Sequence, residues 1–298
     1  MADKSILHMV TPLQLMSPFD VNMATDAGFD MIAVYTGVEQ KDVPGLVQDA
    51  IFSRNPKLAA RTGMFFGGRD AIAALDMIDA AKKSLVPPFE LSIFADPAGS
   101  FTTAAAMVAS VEKCLKDKKN RALSGLQVAV FGATGVVGFS SAVIAALQGA
   151  KVTLVGYDGP DRVARSAREI KARFGVDAAS ADGSSDDRKE AILARSEIAL
   201  CCARAGIRVL SLEQIRKTPA LSVVADVNAV PPPGVEGLDL HAVGVPIGDT
   251  AVLGIGPLAI GNVKYQTEFG LFRKMIEAKK PVCFDFRDAF DLARTIAK

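Results

Sequence analysis

The stretch VAVFGATGVVGFSSAVIAALQGAKVTLVGYDGP, residues 128–160, constrains the fold more than any other part of the chain. An apolar, β-branched run stops at Gly132, glycines recur at Gly135 and Gly138, and a small-residue helical pattern follows at once. A second apolar run, 151–155, ends in Gly156-Tyr157-Asp158. Two short strands joined through a helix must lie parallel, so the stretch is a βαβ unit. In such a turn the first glycine permits the sharp bend and the second lets the backbone approach a pyrophosphate. The third allows close packing of helix on strand, and the helix N-terminus faces the anion. The spacing is GxxGxxG rather than GxGxxG, which leaves Ala133 and Thr134 in the middle of the turn. No GKS or GKT follows, which excludes a P-loop. Gly132, Ala133, Thr134, Gly135, Val136 and Val137 therefore read as a dinucleotide cradle.

A dinucleotide site selects its coenzyme at the end of the second strand. An acid there accepts hydrogen bonds from the ribose hydroxyls of NAD, whereas a base pairs with the 2′-phosphate of NADP. Asp158 lies 20 residues beyond Gly138, but the acid more often occupies the place of Gly156, and Asp158 is also readable as an ordinary turn acid. Tyr157 stands where a 2′-phosphate clamp would need a cation, and Arg162, one turn into the next helix, is within reach of such a phosphate. Use of both NAD and NADP is expected.

The rest of the chain has the same rhythm. Strand-like runs at Ile6–Val10, Met31–Tyr35, Thr62–Phe66 and Leu91–Ala95 alternate with helical patterns beginning near Pro18, Asp42, Arg69 and Thr102. Alternation resumes after 127 with strands at 128–132, 151–155, 197–202 and 222–227 and helices at 136–148 and 160–173. The segments 252–280 and 284–297 read as mostly helical. The polar stretch KDKKNRALSGLQ, 116–127, reads as a solvated helix end and linker. The expected fold is α/β with two domains, the active site lying in the cleft between them. An N-terminal βα substrate domain, 1–118, is completed by helices at about 270–298. A Rossmann-like doubly wound parallel-sheet domain spans 119–269.

Composition narrows the function. A net charge of +1 on 298 residues provides no general attraction to nucleic acid or anionic membrane, and neither is expected as a partner. No window approaches the length of a membrane-spanning helix, and the first residues lack the pattern of a secretory signal. Cys114, Cys201, Cys202 and Cys283 have no metal-ligand spacing, so buried thiols in a reduced cytoplasm are expected, with no metal site. The two histidines, His8 and His241, have no recognisable partner in sequence. None of the three tyrosines has lysine four residues on, and no GxSxG or HExxH appears. The chain thus pairs a dinucleotide cradle with no acid–base couple for alcohol oxidation. A transfer in which only hydride leaves suits it better.

The blocks SPFD at 17–20, DPAGSFTTAAA at 96–106, GATGVVG at 132–138, VADVNAVPPPG at 224–234 and LGIGPLAIGNVK at 253–264 carry a resemblance over nearly the whole length. The chain resembles the methylenetetrahydromethanopterin dehydrogenases of methylotrophic bacteria, which oxidise a one-carbon unit carried on a reduced pterin in formaldehyde oxidation. More distantly it is similar to folate methylene dehydrogenases and shikimate dehydrogenases. The resemblance implies Lys264 as the catalytically important lysine, and Phe19, Asp20, Asp96, Ser100 and Thr102 as contacts for a tetrahydromethanopterin-type substrate. Asp20 would accept paired pterin N–H groups, and Asp96 would do the same or offset the methenyl charge. Asn228, Gly254 and Gly256 would lie in loops facing the nicotinamide. A homo-oligomer, trimer or hexamer, is also implied. The same reaction on tetrahydrofolate, and a non-catalytic dinucleotide sensor, remain as alternatives.

Overall fold

The computed structural model describes residues 3–297; the expected domain bounds at residues 1 and 298 lie outside the described residues. The chain runs β1 (Ile6–Thr11), α1 (Pro18–Ala27), β2 (Met31–Thr36), α2 (Val43–Phe52), β3 (Thr62–Phe66), α3 (Ala71–Lys83), β4 (Ser92–Ala95) and α4 (Ser100–Cys114). It continues with β5 (Gln127–Phe131), α5 (Val136–Leu147), β6 (Lys151–Gly156), α6 (Asp161–Phe174), β7 (Ala178–Asp182) and α7 (Asp186–Leu193). Then follow β8 (Ile198–Cys201), α8 (Leu212–Arg216), β9 (Val223–Asp226), β10 (Val243–Pro246) and β11 (Leu253–Ile255). α9 (Pro257–Glu277), β12 (Cys283–Phe284) and α10 (Phe286–Ile296) close the chain. It divides into two compact units: Met1–Thr102 with Tyr265–Leu292, and Thr103–Lys264 with Ala293–Lys298. The polar stretch 116–127 falls inside the second unit. There α4 passes into a π-helical turn, Leu115–Lys119, and exits through Asn120 in the left-handed region.

In the first unit a five-stranded, all-parallel sheet has the order β12-β4-β3-β1-β2. Its central strands β3 and β4 are buried at every position, as strands covered on both faces must be. The core is aromatic. Phe65, Phe94 and Phe272 meet pairwise at 5.1–5.4 Å between ring centroids, and Phe101 packs edge-on to Phe286 at 5.1 Å. Local chemistry fixes the helix ends. Pro18 occupies the first turn of α1, Gly28 ends it at φ 107, and the Asp70 carboxylate accepts from the Ala73 N–H at 2.8 Å to start α3.

In the second unit the sheet has seven strands in the order β10-β11-β9-β8-β5-β6-β7. All are parallel except β10, which pairs antiparallel with β11. α5 is buried from Gly138 to Ala146, because it carries no charged residue and its polar side chains there are the small Ser140 and Ser141. The helical reading of 252–280 is corrected at its start, where Leu253–Ile255 is a strand before Pro257 opens α9. The helical reading of 284–297 likewise loses Phe284 to β12. The thiols of Cys114, Cys201 and Cys202 are buried and that of Cys283 is half-buried; all four are free. No helix among the described residues is long and apolar enough to cross a membrane. Among the same residues no group of three His, Cys, Asp or Glu is placed to hold a metal ion.

Candidate active site

The glycine turn sits at the carboxyl end of β5, and its three glycines have different tasks. A Cβ on Gly132 (φ 76) would strike the Cys202 carbonyl, and one on Gly138 would strike the Gly132 carbonyl. Both are required by the protein's own packing. At Gly135 the nearest atom to such a Cβ is the Gly132 carbonyl oxygen at 3.4 Å, and the residue is exposed. Gly135 is therefore the open place in the cradle, and it caps α5, whose first N–H groups have no partner within the helix. Thr134, Gly135 and Tyr157 border a cavity of about 630 Å³ that continues past Ser184 to Arg204 and Ile207, within the range of small-molecule sites. These residues fit a dinucleotide. Ala133, by contrast, is fully buried.

The end of β6 explains the displaced acid. A Cβ at Gly156 would overlap the Gly159 carbonyl, so the usual position of the acid is closed and the carboxylate stands two residues on. Arg162 Nη1 donates to Asp158 Oδ2 at 2.9 Å and to the Tyr157 hydroxyl at 3.1 Å. Its Nη2 lies 3.5 Å from Thr134 Oγ1 in the glycine turn, and its Cζ is 5.8 Å from the centre of the Tyr157 ring. The tyrosine itself is 71% exposed.

The loop after β9 is built around a buried acid that the sequence reading did not single out. Asp226 accepts from the N–H groups of Asn228 at 3.0 Å and Val235 at 3.1 Å. Burial raises its pKa, opposed by these and two further backbone N–H groups. The Asn228 amide joins this loop to the one after β8: Oδ1 accepts from the N–H groups of Val230 and Gly206, and Nδ2 donates to the Pro232 carbonyl. The side chain thus shapes the loop that is expected to face the nicotinamide. Gly256 lies just before α9. It is buried, and a Cβ there would meet the Asp239 and Leu240 carbonyls, so packing accounts for the glycine.

In the first unit Asp20 is buried in the opening turn of α1. Beside it Phe19, 45% exposed, meets the 46%-exposed Tyr265 edge-on at 6.4 Å. After β4 the chain bends through Ala98, a non-glycine residue at φ 53. The bend carries the start of α4 back over Asp96, whose Oδ1 accepts from the N–H groups of Phe101 at 2.8 Å and Thr102 at 3.2 Å. Thr102 Oγ1 donates to Asp96 Oδ2. Both residues are fully buried. Together they fix the turn, beside which Ser100 is half-buried, its hydroxyl donating to the Ala98 carbonyl. In the second unit Lys264 is half-buried on α9.

Residues 18–98 match the family model described as methylene-tetrahydromethanopterin dehydrogenase, N-terminal. Over 294 residues, 99% of either chain, the sequence is 52% identical to the NAD(P)-dependent methylenetetrahydromethanopterin dehydrogenase of Methylorubrum extorquens. The chain belongs to this dehydrogenase family. A second relative of the family member described here, the bifunctional protein MdtA of the same organism, is 31% identical over 94% of this chain and 95% of its own. Among solved structures, quinate dehydrogenase from Corynebacterium glutamicum in complex with NAD aligns at a TM-score of 0.55. It is 13% identical and covers 97% of this chain and 98% of its own. Shikimate 5-dehydrogenase from Listeria monocytogenes in complex with shikimate and NAD aligns at 0.52, with 12% identity over 100% and 98%. These two likenesses establish the dehydrogenase's Rossmann-like α/β fold and nothing further.

Three residues at the site were missed by the sequence reading: Asp226, Tyr265 and Arg204. Asp226 had a usable signal, an acid ending the apolar run SVVAD. Arg204 and Tyr265 had none, since neither stands in a spaced motif.

Proposed function

We propose that the chain oxidises methylenetetrahydromethanopterin to the methenyl form, passing hydride to NAD+ or NADP+. The observation that carries the reading is the match to a dehydrogenase of that name over 99% of both chains. The open cradle at Gly135 supports it. The C–H bond of the methylene bridge breaks with both electrons leaving as hydride, and the carbon becomes a methenyl cation shared by its two nitrogens. No alcohol proton is released, consistent with the missing acid–base couple. The nicotinamide, when bound, is the hydride acceptor. What remains for the chain is to hold the carbon in place and favour the developing charge.

Lys264 serves this as an orienting donor to a pterin oxygen or a carboxylate, because an ammonium set beside a forming cation opposes it. Asp20 and Phe19 form the pterin-facing start of α1, with Ser100 on the turn that Asp96 and Thr102 fix. Tyr157, Asp158 and the turn from Gly132 to Val137 hold the coenzyme. The enzyme works as a homo-oligomer, a trimer or hexamer, in the cytoplasm.

The test is nicotinamide reduction by the purified protein with methylene-tetrahydromethanopterin and with methylene-tetrahydrofolate, each against NAD+ and NADP+. Turnover is expected with the first carrier, and slower or none with the second. Preference for the folate would replace the substrate, and coenzyme binding without turnover on either would make the chain a sensor.

A further inference from the structure

The carboxyl edge of the second unit's sheet holds more charge than a single coenzyme requires. Arg162 reaches from the first turn of α6 to Asp158, Tyr157 and the Thr134 hydroxyl. It thus lies between the acid at the end of β6 and the phosphate-facing turn, where the adenosine ribose of a dinucleotide sits. Arg204 borders the cavity that Thr134 and Tyr157 also line. Among the described residues no hydrogen bond or ion pair engages its guanidinium. The neighbouring cations are occupied: Arg208 by Glu236 and the Pro233 carbonyl, and Lys189 by Asp186 and the Val209 carbonyl.

We propose that Asp158, Arg162 and Arg204 form a coenzyme selector in which the Asp158–Arg162 pair is kept with NAD and broken with NADP. The proposal rests on the dinucleotide reading above. With NAD the ribose hydroxyls donate to Asp158, whose second oxygen is not needed by Arg162. With NADP the 2′-phosphate, carrying about two negative charges, repels Asp158 and draws Arg162 away from it. Arg204, on the cavity wall that Thr134 and Tyr157 share, then supplies a second positive charge.

Opening the pair is easy, because Asp158 and Arg162 keep 37% and 44% of their side-chain surface in solvent, and exposed pairs hold weakly. The same swap explains how one site takes both coenzymes. Arg162 offsets the repulsion that a lone acid at this position would impose on the phosphate. No acid can move to position 156 to sharpen the preference for NAD, because the Gly159 carbonyl fills that space.

Calorimetric titration of NAD+ and NADP+ into the full-length protein, without pterin, tests the selector. The variants are Arg162→Gln, Arg204→Gln and Asp158→Asn, each checked for an unchanged melting curve. All three changes lie on the exposed surface. Arg162→Gln should weaken NADP+ binding roughly tenfold or more, the scale of a lost charge-assisted phosphate contact, and NAD+ less than about threefold. Arg204→Gln should act in the same direction with a smaller effect. Asp158→Asn should do the reverse, tightening NADP+ and weakening NAD+ several-fold. Equal loss of both coenzymes in Arg162→Gln, or weaker NADP+ binding in Asp158→Asn, overturns the selector while leaving the dinucleotide reading intact. Failure of the unaltered protein to bind either coenzyme overturns both.

Discussion

At the scale of single residues, the site separates groups that touch ligands from groups that hold those groups in place. Lys264 belongs with the first on the proposed reading. Lys264→Ala should lower kcat by about 10²-fold, the scale of a lost positioning or polar contact. The calorimetric affinity for either coenzyme should change little, because the residue's task lies with the pterin. Near-unchanged turnover would return Lys264 to the class of ordinary helix-surface lysines. Asp96 belongs with the second group. Its carboxylate serves two backbone N–H groups and a hydroxyl with no exposure to solvent.

At the scale of elements, that carboxylate is what starts α4. Asp96→Ala removes the acceptor and leaves buried donors unsatisfied, so stability in urea should fall by about 3 kcal/mol. Asp96→Asn keeps an acceptor for the N–H groups, while its amide can donate to the Thr102 oxygen, and should recover a large part of that loss. Equal stability of all three proteins would show that α4 starts without the cap. Elements of this kind differ in how visible they are in sequence. β1 to β6 and α1 to α6 announce themselves because apolar runs and helical periods of ordinary length alternate there. β7, with the sequence AASAD and an exposed middle, offers no apolar run, and β10 to β12 are two to four residues long. The glycine turn was legible because its conformation admits few residue types. The Asp96–Thr102 pairing was not, because it depends on the left-handed bend at Ala98, which no residue pattern signals. Arg204 lies in an irregular loop and has meaning only beside the cavity.

At the scale of the whole molecule, one histidine ties stability to pH. His8 on β1 lies with Nδ1 3.1 Å from the Tyr35 hydroxyl on β2. Burial, and then the positive charge of Arg54, hold its pKa below the usual value. The native state therefore binds the proton less readily than the unfolded chain. The associated stability is complete above about pH 6.5 and is lost as pH falls from there through the lower native value. The urea midpoint should drop between pH 7.5 and 5.5, and His8→Gln should flatten that drop; an unchanged slope would assign it to other groups. The division of the chain has a consequence in time as well. The first unit obtains Phe272 and β12 only after all of Thr103–Lys264 has been made. On a ribosome, β4 emerges as an open sheet edge beside a Phe65–Phe94 pair that lacks its third ring. Its completing strand follows about 190 residues later, roughly 10–40 s at ordinary rates of synthesis. An exposed edge of that kind invites pairing with other chains. A cell making this protein must therefore keep an unfinished sheet out of contact with its neighbours for longer than the second unit, nearly continuous in sequence, takes to appear.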